Sequence, residues 1–96
     1  MKLSAAVPAF ATELEDGLRA AGRPELADQI AGLEVRDLCR CEVEGCASFY
    51  TELPIKRWFR RGKQVPVGDL VVDTIDGQIV YVEVLGRPDV RRALRR

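Results

Sequence analysis

The chain has 96 residues, no histidine, three cysteines and fifteen basic side chains balanced by fifteen acidic ones. This length suits one domain with a single modest core, and it excludes a deep, enclosed active site. The lack of histidine removes the commonest general base and the commonest metal ligand of proteins.

The balanced charge is unevenly distributed along the chain. Residues 1–53 carry five basic and ten acidic side chains, whereas residues 54–96 carry ten basic and five acidic ones. A chain polarised in this way favours self-association or a charged partner. An odd number of cysteines rules out a closed disulfide framework and indicates a cytoplasmic protein. No segment approaches the length of a membrane-spanning helix, so we expect no membrane partner.

Two helices are predicted in residues 1–32, where they form a helical hairpin. The first covers residues 4–21, with Pro8 in its first turn and Gly22 as its C-terminal cap. The second begins at Pro24 and ends at Gly32. Each has an apolar stripe at helical spacing, formed by Phe10, Leu14, Leu18 and Ala21 in the first and by Leu26, Ala27 and Ile30 in the second.

Four strands are predicted in residues 33–85. Residues 33–41 and 47–53 form one antiparallel pair, residues 69–85 form a hairpin, and residues 54–67 are a basic loop. A short helix is predicted over residues 88–96. The predicted fold is therefore a single α+β domain, in which the helical hairpin packs on a four-stranded antiparallel meander and a short C-terminal helix follows.

The hairpin is organised around the pair Asp76-Gly77. Asp-Gly favours a type I′ turn, because both central residues of that turn need positive φ. This turn would place Asp73 opposite Val80 and Leu70 opposite Glu83. Both faces of the hairpin would then be apolar, which indicates that one face meets a second subunit or a partner. The predicted interface consists of Leu70, Val72, Ile79, Tyr81 and Leu85.

The cysteines Cys39, Cys41 and Cys46 are the candidate metal ligands, because crowded thiolates attract Zn²⁺. Their convergence depends on the turn between the two strands. A loop with an even number of residues brings the three thiols to one face. A three-residue loop, Val43 to Gly45, turns Cys46 away and groups the apolar residues better. We favour the second register, in which Cys39 and Cys41 are small buried hydrophobic residues and no cofactor is bound.

A basic and aromatic arm is the candidate site for a nucleic acid or a protein partner. Cations neutralise phosphates and aromatic rings stack on exposed bases. The arm consists of Lys56, Arg57, Trp58, Phe59, Arg60, Arg61 and Lys63. Arginines near the C-terminal end of the last helix extend the basic character, although the helix dipole alone favours them there.

No catalytic constellation is recognisable, and we expect no enzymatic activity. The predicted register places Asp73 and Glu83 on opposite faces, so they would not act as a pair. The hairpin with its Asp76-Gly77 turn and the following Val82-Glu83-Val84-Leu85 resembles small uncharacterised bacterial proteins of actinomycete type. This resemblance covers the second half of the chain and implies a compact α+β fold in a bacterial cytosol.

The sequence therefore predicts a small non-enzymatic domain that binds another protein, as a homodimer. A nucleic-acid-binding module that uses residues 56–63 is the first alternative. A zinc-thiolate protein is the second.

Overall fold

The computed structural model describes residues 1–43, 45–52 and 62–96. It shows the predicted α+β class, with helices at the N-terminus, an antiparallel sheet and a short C-terminal helix. The described residues form the helices α1 (Leu3–Ala6), α2 (Pro8–Ala20), α3 (Pro24–Ala27) and α4 (Pro88–Leu94), with a 3₁₀ turn at Ile30–Gly32. Within the described ranges, no helix has the length and apolar character needed to cross a membrane.

The first predicted helix is divided into α1 and α2 at Val7. Val7 has φ −140° and ψ 71°, because the ring of Pro8 disfavours helical geometry in the residue before it. At the other end, Gly22 adopts φ 76° and the N–H of Arg23 donates to the carbonyl oxygen of Leu18. Gly22 thus ends α2 as its position predicted.

In the part of the chain that the structure describes, the sheet has five strands in the order β1-β2-β5-β4-β3, rather than the four that were predicted. The strands are β1 (Asp37–Leu38), β2 (Phe49–Tyr50), β3 (Lys63–Val67), β4 (Leu70–Ile75) and β5 (Gln78–Glu83). The additional strand is β3, which lies within the predicted basic loop 54–67. The loop was predicted from the prolines at both ends of this segment and the basic residues between them. Because β3 is an edge strand, Pro66 is tolerated within it.

The turn between β4 and β5 forms as its sequence predicted. Asp76 has φ 52° and Gly77 has φ 77°, and Ile75 lies opposite Gln78. An irregularity in the ladder follows, since Thr74 pairs with Ile79 whereas Asp73 pairs with Tyr81. Val80 is the extra residue of a β-bulge. Each residue of β5 after Val80 therefore lies on the face of the sheet opposite to the one predicted.

The bulge overturns the predicted division of the hairpin into two faces. Leu70, Val72 and Ile79 join Val82 and Val84 in the core, where each is at most 3% exposed. The predicted interface is therefore wrong for Leu70, Val72 and Ile79, since they lie beneath the helices. The other two members of the predicted interface are not in the core. Tyr81 is half-buried on the opposite face of the sheet, and Leu85 is 50% exposed.

The core lies between the helices and one face of the sheet. Leu14 and Leu18 of α2, together with Phe49 of β2, are fully buried there. From the C-terminal helix, Val90 and Leu94 pack into the same core. This packing brings the last helix beside the loop between β1 and β2, which carries the cysteines.

Candidate metal centre

The cysteines lie in the hairpin formed by β1 and β2. Asp37 lies opposite Tyr50 and Leu38 opposite Phe49, and the N–H of Cys39 donates a 2.9 Å hydrogen bond to the carbonyl oxygen of Ser48. Continuing this register places Cys41 opposite Cys46, so an even number of residues separates them in sequence. Opposed residues of an antiparallel pair share a face. The three cysteines therefore belong to one side of the hairpin.

The favoured prediction of a three-residue loop, with Cys46 turned away, was wrong. That prediction relied on one face of the second strand being apolar and the other wet. In the structure Cys46, Ala47, Ser48 and Phe49 are all at most 4% exposed, so both faces are covered here. Alternation of polarity contains no information on register where both faces are buried. The even-numbered loop, which brings the thiols together, is the one that forms.

The three thiol sulfurs form a compact cluster. The Sγ atoms of Cys39, Cys41 and Cys46 all lie within 4.8 Å of one another, and all three cysteines are free. Cys46 is buried, whereas Cys39 and Cys41 are half-buried. Because β1 is an edge strand, the cluster lies at the border of the sheet.

These separations are close to what a metal ion requires. Zn–S bonds of about 2.3 Å in a tetrahedron place the sulfurs about 3.8 Å apart. The cluster would therefore contract by at most about 1 Å on binding, a change within reach of side-chain rotation at Cys39 and Cys41.

The C-terminal helix holds the backbone that carries the thiols. Nη1 of Arg91 donates to the carbonyl oxygens of Cys46 at 2.8 Å and of Val43 at 3.2 Å. One turn later, Nη2 of Arg95 donates to the carbonyl oxygen of Cys39 at 2.7 Å. Two guanidinium groups thus fix both arms of the cysteine hairpin.

Gly45 completes the attachment of the loop. Its carbonyl oxygen accepts a 2.9 Å hydrogen bond from the N–H of Arg87, which precedes α4. Gly45 has φ 82°, and a Cβ atom there would lie 3.3 Å from Cα of Gly86. The close approach and the left-handed conformation both require glycine at this position.

The thiols have unequal proton affinities. The pKa of Cys41 falls from 9.0 to about 7, because the Cys46 thiol, the backbone N–H of Val43 and the Cys39 thiol donate hydrogen bonds to its sulfur, and the charge of Arg91 adds to the effect. For Cys39, the N–H of Cys41 lowers the pKa, but burial and the two neighbouring thiols outweigh it and raise the pKa overall. Metal binding needs thiolates, so Cys41 becomes available at a lower pH than Cys39.

Ser48 contacts the buried member of the cluster, and two tyrosines lie on the same face of the sheet. Sγ of Cys46 lies 3.6 Å from Oγ of Ser48, and that hydroxyl accepts a 2.9 Å hydrogen bond from the N–H of Val84. Nearby on the same face, the rings of Tyr50 and Tyr81 pack with centroids 4.7 Å apart. Burial raises the pKa of Tyr81, while a hydrogen bond from Ser48 opposes the shift. Ser48 therefore links the Cys46 thiol to the backbone of Val84.

The other predicted site residues fall in other parts of the chain. Lys56, Arg57, Trp58, Phe59, Arg60 and Arg61 lie outside the described residues, and Lys63 is the first residue of β3. The bulge also places Asp73 and Glu83 on the same face, contrary to the predicted opposite faces, since Asp73 pairs with Tyr81 and Val71 with Glu83.

Sequence reasoning missed the part that Arg91 and Arg95 play. Their spacing of four residues places them on one side of α4, and this signal was present in the sequence. It was attributed to a basic surface, because nothing in the sequence indicated that the helix would face the cysteine loop.

Comparison with protein-family models, curated proteins and solved structures found no match to this chain. Its function is therefore inferred from the geometry of the thiol cluster.

Proposed function

We propose that the protein binds one Zn²⁺ ion through the thiolates of Cys39, Cys41 and Cys46. The observation that carries this proposal is the convergence of three free thiols within 4.8 Å of one another. Soft thiolate donors at this spacing suit zinc, and oxygen-preferring cations such as Mg²⁺ would be disfavoured. A reducing cytoplasm is the compartment in which such thiols stay available.

The secondary structure indicates what such an ion would do. Strands β1 and β2 have only two residues each, so few ladder hydrogen bonds hold this hairpin together. A metal bound to Cys39 and Cys41 on one side and to Cys46 on the other would cross-link it. Binding free energy at such a site is also folding free energy. We therefore infer a non-enzymatic zinc-thiolate domain whose sheet edge is stabilised by the metal.

Electrostatics supports the same proposal. Three thiolates and one Zn²⁺ carry a net charge of −1, and the guanidinium groups of Arg91 and Arg95 are anchored to the same loop. The positive charge offsets the excess of negative charge, which lowers the free energy of holding several thiolates close together.

Elemental analysis of protein made without a histidine tag tests the proposal, since a tag would add imidazole ligands. We expect about one zinc per chain, and single Cys39→Ser, Cys41→Ser and Cys46→Ser variants should each bind zinc at least tenfold more weakly in competition with a chromophoric chelator. Arg92→Ala is the matched control, because Arg92 is exposed on the same helix. Wild-type protein that neither retains zinc nor binds it when added would contradict the proposal.

Two further functions remain predictions. Self-association as a homodimer would now need a surface other than Leu70, Val72 and Ile79, which are in the core. Light scattering tests it, and a strict monomer would end it. Nucleic-acid binding by residues 56–63 is tested by titrating labelled RNA and duplex DNA at two salt concentrations, where phosphate contacts give salt-sensitive affinity.

A further inference from the structure

The three thiols of the cluster are close enough for one pair of them to form a covalent bond. Their sulfurs lie within 4.8 Å of one another, and the thiols of Cys39 and Cys46 both donate hydrogen bonds to the sulfur of Cys41. A disulfide holds its two sulfurs about 2 Å apart. Two of these sulfurs would therefore approach each other by at most about 3 Å, which rotation about the Cα–Cβ bonds of both cysteines provides. The spacing of the backbone then decides which pair forms.

The register of the β1–β2 hairpin favours the pair Cys41 and Cys46. Disulfide-bonded cysteines usually have Cα atoms about 4.4–6.8 Å apart. Cys41 is opposite Cys46, and opposed residues of an antiparallel pair have Cα atoms about 4.5–5.5 Å apart. Cys39 is opposite Ser48 and therefore diagonal to Cys46, at about 7–8 Å. Cys39 and Cys41 are two positions apart along one arm of the hairpin, and extended backbone separates such residues by about 6.4–6.8 Å, at the limit of the range.

The two cysteines of this pair differ in their access to solvent. Cys41 is half-buried, as is Cys39, and it follows β1, which has a neighbour on one side only among the described strands. Cys46 is 3% exposed. A soluble oxidant therefore reaches the sulfur of Cys41 before that of Cys46. An accessible thiol beside a second thiol is the arrangement typical of cysteines that are oxidised reversibly.

We infer that Cys41 and Cys46 are a site of reversible oxidation, at which a hydroperoxide converts the two thiols into a disulfide. The thiolate of Cys41 attacks one oxygen of the hydroperoxide, so that an S–O bond forms, the O–O bond breaks and hydroxide or alkoxide leaves with the electron pair. The sulfur of Cys46 then attacks the sulfur of Cys41. The S–S bond forms, the S–O bond breaks, and the hydroxyl group leaves as water with the proton of Cys46. The two thiols lose two electrons, and the hydroperoxide gains them.

Oxidation and zinc binding would exclude each other, and this consequence rests on the proposed zinc site. The full chain contains three cysteines and no histidine, so a disulfide between two of them leaves the single thiol of Cys39. Zinc needs several such ligands, and bound zinc in turn occupies the sulfurs that would be oxidised. The disulfide itself does not depend on the zinc site, so we expect it to form in metal-free protein.

Peptide mapping of the metal-free, full-length chain tests the inference. The protein is reduced, transferred to buffer without reductant, treated with hydrogen peroxide, alkylated with iodoacetamide and digested with trypsin, which cleaves after lysine and arginine. Cys39 is then in peptide 37–40, whereas Cys41 and Cys46 share peptide 41–56. We expect peptide 37–40 to be alkylated and peptide 41–56 to be unalkylated and lighter by two hydrogen atoms than its reduced form. Dithiothreitol added before alkylation should restore both thiols.

Other products of the same digest would overturn the inference. Peptide 41–56 with both thiols alkylated, or with a sulfinic acid, would show that the pair does not close. A disulfide that joins peptides 37–40 and 41–56 would show that Cys39 is a partner instead. In a Cys41→Ser variant, Cys46 should be recovered alkylated, because its diagonal distance from Cys39 is too long. A Cys39–Cys46 disulfide in that variant would contradict the argument from register.

A second measurement separates this inference from the proposed function. Zinc-loaded protein is treated with hydrogen peroxide beside a chromophoric chelator, and we expect one zinc to be released for each disulfide formed. The oxidised protein should bind zinc at least tenfold more weakly than the reduced protein, and equal affinities would contradict the exclusion. If the disulfide forms but the reduced protein binds no zinc, the proposed function fails and the oxidation site stands. If the reduced protein binds zinc and no disulfide forms in metal-free protein, the oxidation site alone is overturned.

Discussion

The guanidinium group of Arg91 donates a 2.8 Å hydrogen bond to the carbonyl oxygen of Cys46, 45 residues earlier in the chain. This contact joins the C-terminal helix to the one cysteine of the cluster that is buried. Because Arg95 makes the same kind of contact with Cys39, the helix positions both arms of the hairpin before any metal is bound. Preorganised ligands bind metals more tightly, since less conformational entropy is lost on binding.

Replacing Arg91 should weaken zinc binding without removing a ligand. We expect Arg91→Ala to lower zinc affinity by about tenfold, the lower end of the effect of residues that orient metal ligands. The free energy of unfolding should fall by about 1–2 kcal/mol, because a hydrogen bond from a charged donor is lost. Chelator competition and urea unfolding measure the two effects. Arg92→Ala should change the free energy of unfolding by less than about 0.5 kcal/mol. Equal effects of the two substitutions would contradict the positioning role of Arg91.

Zinc affinity should depend steeply on pH around neutrality. Cys41 has its pKa lowered to about 7, so its sulfur is mostly thiolate above that pH and must lose a proton to bind metal below it. The pKa of Cys39 is raised, so that thiol releases a proton on binding over the whole neutral range. We therefore expect affinity to fall as pH decreases, and to fall more steeply below about pH 7 than above it. Chelator competition between pH 6 and pH 8 measures this dependence, and an affinity that does not change with pH would contradict thiolate ligation.

The backbone conformation of Gly45 should matter to both stability and metal binding. Alanine at φ 82° is strained, and its Cβ would lie 3.3 Å from Gly86. We expect Gly45→Ala to lower the free energy of unfolding by about 1–2 kcal/mol and to weaken zinc binding. Gly32→Ala is the matched control, since nothing lies within 4 Å of a Cβ there and the φ of Gly32 is not positive. If both variants unfolded at the same urea concentration, the positive φ of Gly45 and its close approach to Gly86 would not be needed for stability.

Arg87 joins α2 to the start of α4 through an ion pair whose contribution depends on pH. Its Nη1 and Nη2 donate to the two carboxylate oxygens of Glu13 at 2.8 Å and 2.6 Å, and this pairing lowers the pKa of Glu13. A carboxyl group with a lowered folded-state pKa stabilises the fold above its unfolded-state pKa. That contribution is lost as pH falls through the folded-state value.

We expect Glu13→Gln to lower the free energy of unfolding by about 0.5–1 kcal/mol at pH 7, a small effect because Glu13 is 46% exposed. The difference from wild type should vanish at pH values well below 4.5, the ordinary pKa of glutamate. Urea unfolding at several pH values tests this. Asp16→Asn, which removes an exposed carboxylate from the same helix, should leave stability nearly unchanged, and a pH-independent effect of Glu13→Gln would contradict the ion-pair account.

The elements with a strong local signal could be predicted from the sequence. Gly22 and Asp76-Gly77 act through backbone geometry, and each is found where it was predicted. Pro8 begins α2, whereas it was predicted inside the first turn of a longer helix. The α+β class followed from these signals together with the apolar stripes of the helices. Strand β3 was missed because its proline is compatible with an edge strand, and sequence does not indicate which strands lie at an edge.

The features that decide the candidate site depend on tertiary contacts instead. No glycine or proline at Val80 indicates the bulge in the sequence. The bulge nevertheless places Tyr81 and Glu83 on the faces opposite to those predicted. At the cysteine hairpin, burial of both faces removes the polarity pattern from which register is normally inferred. The helix that supplies Arg91 and Arg95 is more than 40 residues away, so its contribution became visible only once the core had placed it beside the loop.

X-ray absorption at the zinc edge identifies the atoms that bind the metal and their distances from it. Protein made without a histidine tag, loaded with one equivalent of zinc in the absence of any added thiol, should show three sulfur ligands at about 2.3 Å and one lighter donor. Cys46→Ser should lose one sulfur from this shell. A shell of nitrogen and oxygen atoms alone in the wild-type protein would contradict the assignment of Cys39, Cys41 and Cys46 as a zinc site.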